Sequence, residues 1–256
     1  MDNIDREGAN NSYRKSYFLK NIKKGFYKLS PDKNILDKGT DKINITNNIV
    51  KPNITTLNGF WNNDITIDKK TNKVVVDTFF NFDDDDSDIM QINNILGDFN
   101  LFEMKDKCYY IIPELATKEK LKYYNCDMYK IDDNILFEDI NLYHMETSNN
   151  YINDYIYNKK FGNGIYLEYF DFNRIIITTE TTKGYLLLCR KKTSICYYIS
   201  AFTLPKNSII VIPKNTIHSD CFIYGDVITS YDIGIKYSSA LLQYYKNIVK
   251  FNIISI

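Results

Sequence analysis

The apolar positions of this chain fall in short runs and not in long helical stripes. In the second half they recur at 165–170, 174–179, 185–189, 195–202, 209–212 and 222–235. Turn material separates them, as in Asp171-Phe172-Asn173, Lys191-Lys192-Thr193-Ser194 and Pro205-Lys206-Asn207. Short strands at this spacing with hairpin-length connections predict an antiparallel sandwich or barrel. Beyond them, Leu241, Leu242, Tyr245, Ile248 and Val249 fall at i, i+1, i+4, i+7 and i+8. That stripe predicts a C-terminal amphipathic helix over 237–250, packed on the barrel.

The first half is less periodic. Residues 73–80 and 108–112 predict strands, the second stopped by Pro113, and 114–124 carries leucines and charges at the spacing of a short helix. Trp61, the single tryptophan, suits a core anchor. Residues 1–55 have no sustained period and predict an irregular or partly disordered basic arm. The organisation expected is thus the arm, an acidic β-rich or α+β region over 56–140 with room for a degenerate first barrel, and a barrel with its terminal helix over 141–256. The fold class expected is mainly β.

Composition sharpens this picture. Tyr 22 and Phe 15 stand against Gly 10 and only four alanines, and β-branched and aromatic side chains suit pleated, half-buried surfaces. The bias toward Ile, Asn, Lys and Tyr also matches A/T-rich codons, as in protists or large DNA viruses. With 44% hydrophobic and 25% charged residues, a packed core is expected and wholesale disorder is not. The apolar run 209–212 is far short of the ~20 residues that span a bilayer, and the first residues lack a secretory pattern. A cytoplasmic protein, or a virion component if viral, is the expected setting.

Charge cancels overall but not locally. Residues 1–51 hold eleven basic and six acidic side chains, 77–140 six basic and sixteen acidic, and 181–256 nine basic and three acidic. The run Asp83-Asp84-Asp85-Asp86-Ser87-Asp88 predicts a solvated loop, because no calcium-loop pattern follows it. Cys108, Cys126, Cys189, Cys196 and Cys221 are widely spaced with no C-x-x-C pair, which predicts reduced thiols and no disulfide framework or zinc ribbon.

One stretch carries specific chemistry. Asn207, Pro213, Asn215 and His218 keep the spacing of G-x5-P-x-G-x2-H. Asn replaces Gly most readily where a left-handed backbone is required, and Pro presets the turn. This resembles the second motif of the cupin superfamily, with Phe222 where the family has Asn. Gly184-Tyr185-Leu186-Leu187-Leu188 is similar to the strand that follows the first motif. The resemblance implies a β-barrel with His218 at its mouth. The family's metal-binding H-x-H pair is replaced by the run Ile175-Ile176-Ile177-Thr178-Thr179-Glu180, and His144 and His218 are the only histidines. A three-histidine metal centre is therefore excluded by count, and no metal or cofactor is expected.

Three functions follow. The first is a metal-free cupin-like binding or structural module. The second is an epimerase, isomerase or lyase in which His218 and Glu180 exchange protons with a sugar or small acid, with Tyr185, Tyr198, Asn215 and Tyr231 as binding residues. The third is a β-rich self-assembling or virion-associated protein whose oppositely charged segments dock on other copies. The partners expected are a small molecule in the barrel and further copies of the chain. Neither a membrane nor nucleic acid is expected.

Overall fold

The computed structural model describes residues 13–29, 36–41, 48–62, 99–159, 162–231, 237–245 and 247–254. The strand predicted at 73–80 and the acidic run at 83–88 lie outside them. Among the described residues strands make up 59% and helices 8%, so the protein is mainly β. A closed seven-strand barrel is its centre. Around it run β4 (Thr55–Asn62), β14 (Cys196–Thr203), β13 (Lys183–Lys191), β16 (Ile217–Tyr231), β11 (Tyr166–Phe170), β17 (Tyr237–Tyr244) and β5 (Phe99–Met104), which pairs back to β4. All neighbours are antiparallel except β5 and β17, which run parallel. Alternation along each strand sends one face inward. Leu57, Phe102, Leu167, Leu187, Ile199, Cys221 and Leu242, one from each strand, meet in a single apolar cluster that fills the barrel.

A second sheet grows out of the first through a shared strand. The initial half of β16 belongs to the barrel, whereas its later half lies between β10 (Ile140–Thr147) and β12 (Arg174–Thr178). β1 (Arg14–Ile22) extends this sheet beyond β10; β15 (Ser208–Ile212) and β8 (Asp127–Lys130) extend it beyond β12. Gly225, at φ +81°, stands where β16 passes from one sheet to the other. A side chain there would collide with the Thr181 carbonyl oxygen. β12 is buried on both faces, which is why Ile175-Ile176-Ile177 reads as a continuous apolar run and not an alternating one. Ile176, Ile210 and Val227 pack on the barrel's outer wall at Leu186 and Leu188. Ile175, Ile177 and Ile228 pack the other way, toward a small sheet of β2 (Gly25–Leu29), β3 (Leu36–Lys38) and β9 (Ile135–Phe137).

Smaller elements close the ends. β6 (Cys108–Ile111) pairs with β19 (Lys250–Ile253), β7 (Glu114–Leu115) lies beside β14, and β18 (Asn247–Ile248) folds back on β17. Tyr109 and Phe251, from the β6–β19 pair, join the barrel cluster, as do Tyr151 and Tyr155 from a π-helical turn at Tyr151–Ile156. α1 (Lys118–Leu121) continues as a 3-10 turn over Lys122–Tyr124 and is capped by the Thr117 side chain. Among the described residues, no helix is long and apolar enough to cross a membrane.

Three expectations are corrected. No C-terminal amphipathic helix forms, because 237–250 makes β17, β18 and the start of β19. Leu241 and Leu242 are both buried since β17 has cover on both faces, while Tyr245, counted in the helical stripe, is 72% exposed at a left-handed turn. Nor is the barrel confined to the C-terminal half or wholly antiparallel, since β4 and β5 complete it. Residues 14–29 of the expected irregular arm are the regular strands β1 and β2.

Gly225→Ala tests the crossover. Forcing a Cβ into a left-handed residue against a carbonyl is expected to cost about 2–3 kcal/mol, read as a lower midpoint in urea with little change in slope. A midpoint equal to wild type would show that β16 does not need this bend.

Candidate functional site

Charged residues inside apolar strands must find partners or be expelled. Four such residues, Arg14 on β1, Arg174 on β12, Glu168 on β11 and Asp220 on β16, meet between the outer wall of the barrel and the second sheet. The register of β16 explains the placement. Tyr185 faces Phe222 and Leu187 faces Ser219, so Leu186 opposes both Asp220 and Cys221 in a β-bulge. A bulge re-aims side chains. Here Asp220 receives three donors: Arg14 Nη1 at 3.3 Å and Tyr166 Oη at 2.7 Å on Oδ1, and Arg174 Nη2 at 3.2 Å on Oδ2.

The two arginines are themselves held. Arg14 also donates to Thr147 Oγ1 and to the Asp220 carbonyl oxygen, and its guanidinium lies 4.2 Å from the centre of the Tyr151 ring. Arg174 donates to the Ser230 carbonyl oxygen at 2.7 Å. Arg14, Arg174 and Asp220 are each 2% exposed or less. Burial alone would raise the Asp220 carboxyl, but Arg14 and Arg174 outweigh it and hold it well below the usual carboxylate range.

His218 stands beside this cluster and not in the barrel. It pairs with Leu188, on the wall's outer face, and with Glu168 of β11. Its Nδ1 lies 2.9 Å from the Thr216 carbonyl oxygen, which can only accept, so Nδ1 carries the hydrogen and Nε2 bears the lone pair. Nε2 is buried without a hydrogen-bond partner among the described residues, and Glu168 Oε1 is 3.6 Å away. Burial first, and Arg174 after it, push the imidazole down to about 4 against the weaker pull of the Thr216 carbonyl. Burial, then the Asp220 charge, push the Glu168 carboxyl up. The pair is therefore a neutral imidazole facing a carboxyl of raised proton affinity, with Glu168 12% exposed at its outer edge.

The other residues singled out in the sequence lie apart. Glu180 sits on the turn beyond the far end of β12, bonded to Asn207 Nδ2 at 2.6 Å and Lys206 Nζ at 3.3 Å. Arg174, at the near end, touches the His218 cluster, and the five residues of β12 separate the two by roughly 15 Å. Tyr185 packs into the barrel cluster. Tyr198 is on the opposite face of β14 from the core residue Tyr197, with Lys192 over its ring. Asn215 is exposed in its turn, donating its backbone N–H to Phe170, and Tyr231 ends β16 opposite Asn141. Asn207 and Asn215 take φ of +52° and +64°, the left-handed conformation that the motif spacing demands. Reading by motif missed Glu168, Asp220, Arg14 and Arg174. The available signal was a lone charge in each of two apolar strands, Glu168 in Tyr166-Leu167-Glu168-Tyr169-Phe170 and Arg174 before Ile175-Ile176-Ile177, whereas β1 and β16 carry several polar residues and gave none.

No known protein family, curated protein or solved structure matches this chain.

Two predictions follow from the cluster. Asp220→Ala leaves two buried guanidiniums uncompensated and is expected to cost about 3–5 kcal/mol in chemical denaturation, whereas joint replacement of Arg14, Arg174 and Asp220 by Met, Met and Leu recovers most of that loss. Equal stability for both variants would mean that the charges are not coupled. The second concerns pH. His218 has a folded value below its ordinary 6.5, so its contribution is present above 6.5 and is lost as pH falls toward 4. Glu168 is shifted the other way, so its contribution is present below its ordinary 4.5 and is lost as pH rises. The slopes oppose between 4.5 and 6.5 and give a flat maximum there. In unfolding curves at stepped pH, Glu168→Gln should abolish the decline on the alkaline side and uncover a rise that continues up to 6.5, whereas His218→Asn should remove the acid slope below 4.5 and let the decline begin there. Unchanged profiles would place the titrating groups elsewhere.

Proposed function

We propose that this chain is a non-catalytic β-barrel module, cupin-like in its barrel and rim turn, that acts as a binding or structural component through its outer surface. The observation that carries the reading is the filled barrel. Apolar side chains from all seven strands meet in its interior, and the π-helical turn and the β6–β19 pair add aromatic rings to the same cluster. A cupin-type enzyme needs that space for substrate. Kinship with cupins draws support from the closed barrel and the left-handed Asn207 and Asn215. The outward placement of His218 counts against transfer of the family's chemistry. Five unpaired cysteines, three of them buried, suit a reducing compartment such as the cytoplasm.

A second reading keeps the enzyme but changes its residues. Glu168, not Glu180, faces the free lone pair of His218, and an acid–base pair of this kind is a recognised arrangement for proton exchange in epimerases and lyases. It requires an opening beside Glu168 wide enough for a small acid or sugar.

A thermal-shift screen with nucleotide sugars and small carboxylic acids separates the readings. A ligand at a hundred times its Kd stabilises by about 2.7 kcal/mol, roughly 5–10 °C for a chain of this size. The module reading expects no shift from either class. A shift of that size that disappears in His218→Asn and Glu168→Gln would overturn it in favour of the enzyme.

A further inference from the structure

A second cluster of ligand atoms lies on the sheet that carries β10, away from the barrel and from His218. His144 and Glu146 are two residues apart on β10, so they project from the same face, and Asp226 on β16 is directly opposite Glu146. One donor atom from each lies within 4.8 Å of the other two. Donors around one ion with bonds of about 2.1 Å sit about 3–4 Å apart, so a contraction of around 1 Å closes the shell.

Three further features favour a cation over a simple ion pair. Both imidazole nitrogens are too far from the carboxylates for hydrogen bonds, with Nδ1 3.9 Å from Glu146 Oε1 and Nε2 3.8 Å from Asp226 Oδ1. Among the described residues, neither Glu146 nor Asp226 forms an ion pair with a lysine or arginine, and Lys15, across from Glu146 on β1, forms none with it. Asp226 is also pre-set. Thr181 Oγ1 donates to its Oδ2 at 2.6 Å, and the hydroxyls of Thr179 and Thr182 donate to its carbonyl oxygen, leaving Oδ1 turned toward His144. Hydrogen bonds of this kind orient carboxylate ligands in metal sites.

We infer that His144, Glu146 and Asp226 form a surface site for one divalent transition-metal ion, distinct from the barrel interior. Two carboxylates balance the ion's charge, and one imidazole with two oxygens suits zinc, cobalt or manganese better than the all-oxygen shell that calcium prefers. Three protein ligands at 35%, 48% and 38% side-chain exposure leave positions open to water or to an anionic group of a partner.

Cobalt(II) titration of the full chain, followed by absorbance with zinc competition, tests the assignment. The expected result is one equivalent bound with visible d–d bands, no thiolate charge-transfer band, and displacement by zinc. His144→Gln and Asp226→Asn should each remove it, and Thr181→Ala should weaken it by about 10–100-fold. His144 and Asp226 are half-buried and Thr181 is exposed, so a native thermal transition in each variant separates loss of a ligand from loss of fold. Three outcomes would overturn the site: no saturable binding, a thiolate band from Cys108 or Cys196 that survives His144→Gln, or an NMR titration in which His144 responds to protons but not to zinc.

Discussion

Everything in this structure turns on a single buried carboxylate. Asp220 gives one oxygen to Arg14, near the start of the described chain, and the other to Arg174, from the middle. It is itself part of the strand that both sheets share. The barrel wall, β1 and β12 are thereby fixed at one point. Replacing such a cluster with apolar side chains of similar volume is often neutral or stabilising. The ionic form therefore gains little stability. Its contribution is specificity, because only one register of β1 and β12 against β16 brings both guanidiniums to the same carboxylate.

The layers follow from that shared strand. Because β16 runs through barrel and sheet alike, its outward side chains in the first half and its inner face in the second both become core. A packed barrel, a second sheet whose β12 is covered on both faces and a small third sheet then bury nearly every apolar run. The proposed function accordingly rests on the outside of the molecule, its turns and its exposed strand ends. The two places where titratable groups gather, around His218 and around His144, differ in this respect. The first is almost wholly buried, and the second is open.

The legible parts of the sequence were those governed by local rules. Runs with two-residue alternation or uniform apolarity marked β11 to β16 to within a few residues at most ends, Pro113 marked the end of β6, and the spacing of Asn207 and Asn215 marked two left-handed turns. Where local rules give two answers, the reading failed. Leu241, Leu242, Ile248 and Val249 fit a helical stripe equally well as a strand with both faces buried, and only pairing with β5 and β11 decides between them. β1 was invisible for the opposite reason, since two of its inward positions are Arg14 and Ser16. The charged cluster was out of reach because its members are 46 and 206 residues apart along the chain and share no motif.

The position of β17 has a consequence for how the molecule comes to be. It is the piece slotted between β11 and β5, and every other stave of the cylinder precedes it in the chain. During synthesis the cylinder stays split along that seam until the final staves leave the ribosome, with two unsatisfied rows of backbone amides and carbonyls exposed. A nascent chain that stalls before β17 presents two unpaired rims to its neighbours, the kind of open edge on which chains aggregate.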